Sequence, residues 1–366
     1  MKRHSPFTFL AITFSLVAAC PAQTSVESEG HRLKAPLAPI ASFQSGDTAA
    51  NHAAHAQIWP IVRSSDPAGT LETLLVQPTT DGIIYYIGIA RIARVENELA
   101  WDWSDVDHVL KLCHLAQKPV KLALLPGRWV PEWFYEKGAQ KFTWSLNTPY
   151  VDAGVSTASA PVPWDDTYLS QLEHLVSIAA ARYTQHPALA EIQITGPALA
   201  NGLEMNLNIS AEQAASIGYS PEKLTAAWKR MLDHYAAAFP KQKLSLALHN
   251  QIAGERTTAI AKAVLSHGFS KYGNRLGVLI CYATWESWFD RSNNAVDVWL
   301  DTPSGTKQEA QLIDLYSVKN TPLDKVSAAI TRACNLGANT LEVFSADLLV
   351  EPYRQAIDAA RRATSP

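Results

Sequence analysis

One carboxylate in this sequence stands where a barrel enzyme places an acid or a base. The β-type run Ile192-Gln193-Ile194 is followed by Thr195-Gly196-Pro197, and a short loop then leads to Glu204. A buried β-type run that breaks at glycine and proline presents the next polar side chain at the end of its strand. We therefore predict that Glu204 is a general acid or base. The plainer interpretation is a loop glutamate in a helix cap or a surface ion pair.

A hydrolytic acid needs a second carboxyl group that attacks the substrate or activates water. Glu286 follows an apolar run and lies between Trp285 and Trp288, although Thr284 could equally cap a helix that begins there. Glu342 stands inside an apolar run, and a charge in that place must point into a barrel or be buried with a partner. Glu342 could instead orient an arginine or bind a hydroxyl group. We predict that Glu286 or Glu342 is the partner of Glu204.

Candidate substrate contacts come after the same apolar runs. Flat aromatic rings stack on sugar faces, and the plainer role of such rings is to fill the rim of a barrel. Histidine, asparagine and arginine at strand ends could bind hydroxyl groups, or be satisfied by the neighbouring backbone. The predicted contacts are Arg91, Trp129, Trp133, His249, Asn250, Tyr282, Trp285 and Asp347.

Eight short β-rich runs alternate with helical patterns and would position these residues. The runs are 71–77, 83–90, 120–125, 191–195, 244–249, 276–282, 312–318 and 340–344. This alternation predicts a parallel sheet, and eight runs are the number that a (β/α)₈ TIM barrel needs. Asp165 or Asp166 would cap one of the intervening helices. A doubly wound sheet is the alternative, but the chain has no Gly-rich phosphate loop, which favours the barrel.

The N-terminal segment predicts export. Lys2 and Arg3 precede the apolar run 7–17, which is too short to span a bilayer. The ending Val17-Ala18-Ala19-Cys20 resembles the lipobox of bacterial lipoproteins, which implies acylation of Cys20; a plain signal peptide is the alternative. Pro21 favours the outer membrane. We expect a lipoprotein signal peptide at 1–19, a flexible tether at 20–57 and a single barrel domain at 58–366.

Charge and cysteine content exclude several classes of protein. The 366 residues carry a net charge of −3, which becomes −5 when residues 1–19 are removed with Lys2 and Arg3. A mildly acidic protein has no electrostatic reason to bind nucleic acid. Cys113, Cys281 and Cys334 are far apart and lack CxxC spacing, so we expect buried free thiols and no zinc site. The sequence has neither a metal cluster nor a nucleotide loop, so we expect no cofactor.

Several segments resemble the clan A glycoside hydrolases, in their uncharacterised and β-galactosidase-like branches. The resemblance spans about residues 83–207, and in the C-terminal half it rests on strand order alone. The resembling segments are Trp101-Asp102-Trp103, Pro126-Gly127, Pro163-Trp164-Asp165, and Thr195-Gly196 with Glu204-Met205. The resemblance implies an exported glycosidase that cleaves an oligo- or polysaccharide, with Glu204 as acid/base.

The sequence also departs from that family. The family's acid/base usually follows an asparagine directly, whereas Leu203 precedes Glu204 and Asn201 stands three positions back. The family's nucleophile usually ends the seventh strand, yet the run 312–318 has no glutamate at its end. The second departure motivates a competing hypothesis, a non-catalytic carbohydrate-binding surface lipoprotein on a degenerate barrel. A polysaccharide lyase is a third reading, which no residue selects.

Overall fold

The computed structural model describes residues 55–145 and 157–364. Eight parallel strands in these ranges close into a barrel in which neighbours follow chain order and the first strand pairs with the last. The strands are β1 Gln57–Arg63, β2 Ile83–Gly88, β3 Val120–Leu125, β4 Leu189–Ile194, β5 Lys243–Leu248, β6 Leu276–Ala283, β7 Gln308–Leu312 and β8 Thr340–Phe344. The predicted TIM barrel is confirmed. The predicted signal peptide, Cys20 and almost all of the predicted tether lie outside the described residues.

Each barrel strand is followed by a helix of the outer ring. These helices are α1 Thr70–Leu75, α2 Ser104–Leu115, α3 Asp166–Tyr183, α4 Pro221–Ala238, α5 Ala259–Tyr272, α6 Asn294–Leu300, α7 Leu323–Asn335 and α8 Glu351–Ala363. Because strands and helices run in opposite directions, every outer helix begins at the end of the barrel where the strands finish. We call this end the mouth. No helix in the described ranges is long and apolar enough to cross a membrane.

Shorter elements decorate the loops. The short helices are Ile89–Ile92, Trp133–Glu136, Ala211–Ser216 and Ser345–Leu349, and the 3₁₀ turns are Glu98–Ala100, Gly127–Trp129 and Gly273–Arg275. Two antiparallel hairpins pair Lys141–Ser145 with Thr157–Pro161 and Gln251–Ile252 with Glu255–Arg256. Most of these pieces belong to the loops after the strands, where barrel proteins bind their ligands.

Two of the eight predicted strands are wrong. The run 71–77 falls on helix α1, and the true first strand, β1, lies earlier in the chain. The run 312–318 begins at the last residue of β7 and continues into a loop. The two strands were missed for different reasons: β1 is apolar but contains Pro60, which argues against a strand, and β7 reads Gln-Glu-Ala-Gln-Leu, which is too polar to resemble a buried strand.

Alternate residues of the strands point into the barrel. The upper part is filled by an apolar group that includes Ile61, Tyr86, Leu125 and Phe344. In the lower part, polar side chains replace the usual layers of branched apolar residues: Lys121 and Glu342 are both fully buried. The barrel is therefore apolar towards the mouth and charged towards its base.

The helix caps fix where the outer helices start. Asp165 Oδ1 accepts a hydrogen bond of 2.8 Å from the amide of Tyr168, as the sequence predicted for the start of α3. At the start of α2, Asp102 Oδ1 accepts from the amide of Ser104 at 3.0 Å. These contacts hold the β3–α3 and β2–α2 loops at the mouth.

Candidate active site

A closed loop places Glu204 at the mouth. The chain leaves β4 through Gly196, with a φ of 146°, and returns at Gly202, with a φ of 67°. The amide of Gly196 donates to the carbonyl of Gly202 at 2.8 Å, which closes the loop. A Cβ at Gly202 would lie 2.5 Å from Pro126 Cγ, so this position needs glycine for space as well as for its φ.

After the loop, the chain resumes the line of β4. Glu204 forms an isolated parallel bridge with Ala247 of β5, and the amide of Met205 donates to the carbonyl of Ala247 at 3.0 Å. Ala247 belongs to the group that fills the barrel. Backbone pairing with β5 therefore fixes Glu204 at the rim of the barrel, next to the fifth strand.

Burial gives Glu204 an unusual charge state. The residue is only 7% exposed. Burial raises the pKa of Glu204 to about 8, and a hydrogen bond with the Cys281 thiol opposes that rise. Among the described residues, these are the two influences on the pKa of Glu204, so no neighbouring carboxylate contributes. Glu204 therefore holds a proton at neutral pH, which is the state required of a general acid.

Uncharged hydrogen-bonding groups lie near Glu204. Tyr282 is 9% exposed, and its buried hydroxyl has no hydrogen-bond partner in the described part of the chain. The ring of His249 meets the Tyr282 ring edge-on at 5.5 Å, and the Trp288 ring lies 6.0 Å from the Tyr282 ring. The charge of Glu204 contributes to the raised pKa of Tyr282, after burial, which indicates that the two groups are neighbours.

His249 is neutral and its tautomer is defined by one contact. Its Nδ1 accepts a hydrogen bond of 3.0 Å from the amide of Gln251, so the proton of the neutral ring is on Nε2. Burial, followed by the charge of Arg256, lowers the pKa of His249 to about 4. The predicted contacts His249 and Tyr282 thus bring an imidazole N–H and a phenol to the neighbourhood of Glu204.

A buried ion cluster occupies the base of the barrel. The Lys121 ammonium contacts the carboxylates of Glu309 and Glu342, and lies 3.3 Å from Glu191 Oε1. The Lys307 ammonium binds Glu191 as well, and lies 3.0 Å from Glu309 Oε2. Three carboxylates therefore face two ammonium groups. An excess negative charge in a buried site favours binding of a proton.

The predicted partner Glu342 belongs to this cluster. Burial raises the pKa of Glu342 to about 7 in spite of the attraction of Lys121, and its Oε2 has no hydrogen-bond partner in the described residues. For Glu309, burial also acts to raise the pKa, but the ammonium groups of Lys121 and Lys307 outweigh it and hold the pKa well below the usual range. Glu309 is therefore the fixed anion of the cluster, and Glu342 is a member that can take up a proton.

Two side chains are affected by the charges of both Glu204 and Glu342. Burial raises the pKa of Tyr86 and of Cys281, and the charges of both Glu204 and Glu342 add to each rise. Tyr86 and Cys281 are therefore near both carboxyl groups. The Tyr86 hydroxyl donates to Gln311 Oε1 of β7 at 3.1 Å. Gln311 is thus the inward-facing residue of the seventh strand above Glu309.

The other predicted partner, Glu286, is exposed in the loop after β6. Its amide donates to the Thr284 hydroxyl at 3.4 Å, but no helix begins there, so Thr284 is not the helix cap of the plainer interpretation. The neighbouring Trp285 is half-buried, with its ring 5.6 Å from the ring of Tyr316 and the Lys325 ammonium 5.2 Å above it. Glu286 and Trp285 are therefore on the rim of the mouth.

The remaining predicted contacts are distributed around the rim. Trp129 packs against the apolar group that fills the barrel, so it covers part of the mouth. Trp133 donates its indole N–H to the carbonyl of Ala93 at 2.8 Å and stacks on Trp101 at 6.3 Å, away from the barrel interior. Arg91 is half-exposed and forms an ion pair with Asp105.

Asn250 and Asp347 already have partners. Asn250 donates to Asn294 Oδ1 at 2.5 Å. Asp347 is fully buried and accepts hydrogen bonds from the amides of Tyr316 and Ser317, at 3.1 and 2.7 Å, and from the Ser317 hydroxyl. Its contacts hold the β7–α7 loop in place.

Sequence reasoning missed the ion cluster. Lys121 lies in the run Val-Lys-Leu-Ala-Leu-Leu, and the argument that singled out Glu342 applies to it equally. Glu309 could not be found, because its strand was placed four residues too late. The three cysteines are free, as predicted: Cys113 and Cys281 are buried, and Cys334 is half-buried. Within residues 55–145 and 157–364, no group of three His, Cys, Asp or Glu side chains could hold a metal ion.

The eight parallel strands and the ring of outer helices define a (β/α)₈ barrel, and solved structures of other proteins share this fold. The β-galactosidase from the psychrophilic Marinomonas ef1 is similar, with a TM-score of 0.52 and 10% identity, over 84% of this chain and 59% of that protein. The catalytic domain of β-amylase from Paenibacillus polymyxa gives a TM-score of 0.58 and 9% identity, over 85% of this chain and 98% of that one.

Xylanase 10B from Thermotoga petrophila, solved with xylobiose, gives a TM-score of 0.50 and 10% identity, over 79% of this chain and 82% of that one. No protein-family model matches the chain, and no curated protein is similar to it in sequence. The chain spans 59% of the length of the β-galactosidase, and identities of 9–10% demonstrate a shared fold and no more.

Proposed function

We propose that this protein is a glycosidase-like hydrolase of an oligo- or polysaccharide, with Glu204 as its general acid. The observation that carries the proposal is a buried glutamate in the loop after the fourth barrel strand. Its pKa of about 8 means that it keeps its proton at neutral pH. Active sites of TIM barrels lie at this end of the barrel. The architecture shared with a β-galactosidase, a β-amylase and a xylanase supports a saccharide as the substrate.

The proposed reaction is a hydrolysis in which two carboxyl groups share the work. Protonated Glu204 donates its proton to the glycosidic oxygen as the bond to the sugar breaks. A water molecule then forms the new bond to the anomeric carbon of the sugar. The second carboxylate either removes a proton from this water as a base, or first attacks the anomeric carbon as a nucleophile and is displaced by the water. The imidazole N–H of His249 and the hydroxyl of Tyr282 would bind sugar hydroxyl groups.

Glu342 is our candidate for the second carboxyl group. It shares Tyr86 and Cys281 as neighbours with Glu204, whereas Glu286 is exposed on the rim. The Lys121 ammonium, 2.5 Å from Glu342 Oε1, opposes the effect of burial, and the resulting pKa of about 7 lets Glu342 exchange a proton near neutral pH.

A second candidate function is carbohydrate binding without catalysis. It is favoured by the seventh strand, where Gln311 presents an amide in the position above Glu309, while Glu309 is bound by two lysines. An amide can bind a sugar hydroxyl, but it can neither attack a glycosidic carbon nor accept a proton from water.

The test is sugar release from a glycan panel by the wild-type protein and by Glu204→Gln, Glu342→Gln and Glu286→Gln. We expect wild type to release reducing ends, Glu204→Gln to be at least 100-fold slower, and Glu286→Gln to match wild type. Circular dichroism checks that each variant is folded. No release by any protein, with glycan binding retained, would support the binding function. Unsaturated products with ultraviolet absorbance would indicate a lyase.

We also propose that the protein is exported and attached to a bacterial membrane through acylated Cys20. The support is the signal-like segment 1–19, which ends in Ala18-Ala19 directly before Cys20. Expression in a bacterial host with labelled palmitate tests this: wild type should incorporate label and sediment with membranes, and Cys20→Ser should do neither. Equal labelling of both proteins would contradict it.

A further inference from the structure

A cavity opens between the outer helices α3 and α4, on the flank of the barrel. It has a volume of about 580 Å³ and is lined by the N-terminal parts of α3 and α4, by residues just before them and by Gln140. Both helices begin at the mouth, so this cavity and Glu204 are on the same end of the molecule. Its size is in the range of sites that hold small ligands.

Trp164 lines this cavity, and its ring forms a wedge with the ring of Tyr219, which packs beside it. Trp164 precedes α3 and Tyr219 precedes α4, and their ring centroids are 5.7 Å apart with an angle of 49° between the planes. Both residues are half-buried. The structure gives neither the Trp164 indole N–H nor the Tyr219 hydroxyl a hydrogen-bond partner within the described ranges. The wedge therefore combines apolar ring faces with two available polar groups.

The polar side chains beside the wedge are held in place. The Arg230 guanidinium binds both oxygens of Glu173, at 2.7 and 2.8 Å, and lies 3.0 Å from Asp166 Oδ1. The Lys223 ammonium donates to the carbonyl of Gly218 at 2.8 Å. The side chain of Asp166 is 95% exposed in spite of its ion pair, so its carboxylate can still accept hydrogen bonds from a ligand.

The charge of the lining favours a neutral ligand. The carboxylates of Asp165 and Asp166 balance the cations Lys223 and Arg230 around the cavity. A phosphate or sulfate site would need an excess of positive charge. A flat base sandwiched between rings would need nearly parallel planes, whereas these rings are splayed by 49°. A sugar ring is neutral and can stack on a single aromatic ring through its apolar face, while the hydroxyl groups around its edge form hydrogen bonds.

We propose that the cavity lined by Trp164, beside Tyr219, is a second saccharide-binding site, separate from the site at Glu204. A sugar unit stacks on Trp164 and donates a hydroxyl hydrogen bond to Asp166. The loop after β4 carries both Glu204 and Tyr219, so the two sites share one segment of chain. The choice of a polysaccharide as the ligand rests on the proposed function, but binding at this cavity does not require catalysis.

Native gel electrophoresis through galactan, xylan or soluble starch tests the proposal with the full chain. Glu204→Gln serves as the parent protein, so that hydrolysis does not alter the gel. At least one polysaccharide should retard the parent, and Trp164→Ala should weaken that binding at least 10-fold. Tyr219→Ala should weaken it in the same direction.

Tyr272→Ala is the matched control, because Tyr272 is a half-buried tyrosine at the opposite end of the barrel, at the end of α5. This variant should bind like the parent, and circular dichroism should find all the variants folded. Retardation of Trp164→Ala equal to that of the parent would overturn the second site, and so would a parent that none of the three polysaccharides retards. The hydrolase proposal is tested by a different assay: the absence of sugar release by the wild-type protein would contradict it without affecting the second site.

Discussion

Replacing Glu204 with glutamine should change how the stability of the protein depends on pH. Glutamine has nearly the same shape as a protonated glutamate but cannot ionise. The wild-type side chain is 7% exposed, so ionisation in the folded state transfers a charge into a poorly solvated site. The variant should avoid this cost.

The magnitude follows from the pKa of Glu204, which has an ordinary value of 4.5 and is raised to about 8 in the folded protein. Because the folded state binds this proton more tightly, its stabilising contribution is fully present below about pH 4.5 and is lost as pH rises towards 8. The loss is about 1.4 kcal/mol per pH unit across that window, or up to about 5 kcal/mol in total. The free energy of unfolding of Glu204→Gln, relative to that of wild type, should therefore rise by that amount across the same pH range.

Urea unfolding of both proteins at pH 5, 7 and 9 measures this difference directly. The free energy of unfolding of the variant minus that of wild type should rise by about 3 kcal/mol between pH 5 and 7, and further by pH 9. Glu286→Gln is the control, since Glu286 is exposed, and its difference from wild type should stay flat. A flat difference for Glu204→Gln as well would refute the claim that Glu204 is buried and protonated.

Two further substitutions test the framework around the site. Lys121→Met removes an ammonium group that contacts Glu309 and Glu342, so it should lower the free energy of unfolding at pH 7 by about 3–5 kcal/mol in a urea titration; a loss under about 1 kcal/mol would contradict the buried ion cluster. Gly202→Ala should destabilise the protein more than Gly69→Ala, because both glycines have positive φ but only Gly202 would place its Cβ against Pro126; equal midpoints in thermal unfolding would contradict this packing.

The sequence predicted the barrel because most of its strands are continuous apolar runs, and such runs are typical of parallel sheets buried on both faces. It could not predict β7, because Glu309 and Gln311 are satisfied by partners inside the barrel that are distant in the chain: Lys121 for the first and Tyr86 for the second. Local periodicity contains no information about such partners. The first strand was also missed, because Pro60 taken by itself argues against a strand at that position.

The candidate site was predicted in part. The position of Glu204 after a Gly-Pro break could be read from the sequence, because the break fixes where the strand ends. Its protonation could not, since it depends on burial of the carboxyl group, which arises from tertiary packing. The same limit applies to Asp347, which looks like a residue of the mouth in the sequence but binds the amides of Tyr316 and Ser317 in the structure.

The central claim is that Glu204 acts as a protonated acid, and the pH dependence of kcat/KM for sugar release tests it most directly. With the panel substrate that wild type cleaves fastest, activity should fall as pH rises through about 8, because the pKa of Glu204 lies there and the acid loses its proton. An activity that stays constant or increases from pH 7 to pH 9 would contradict Glu204 as the general acid.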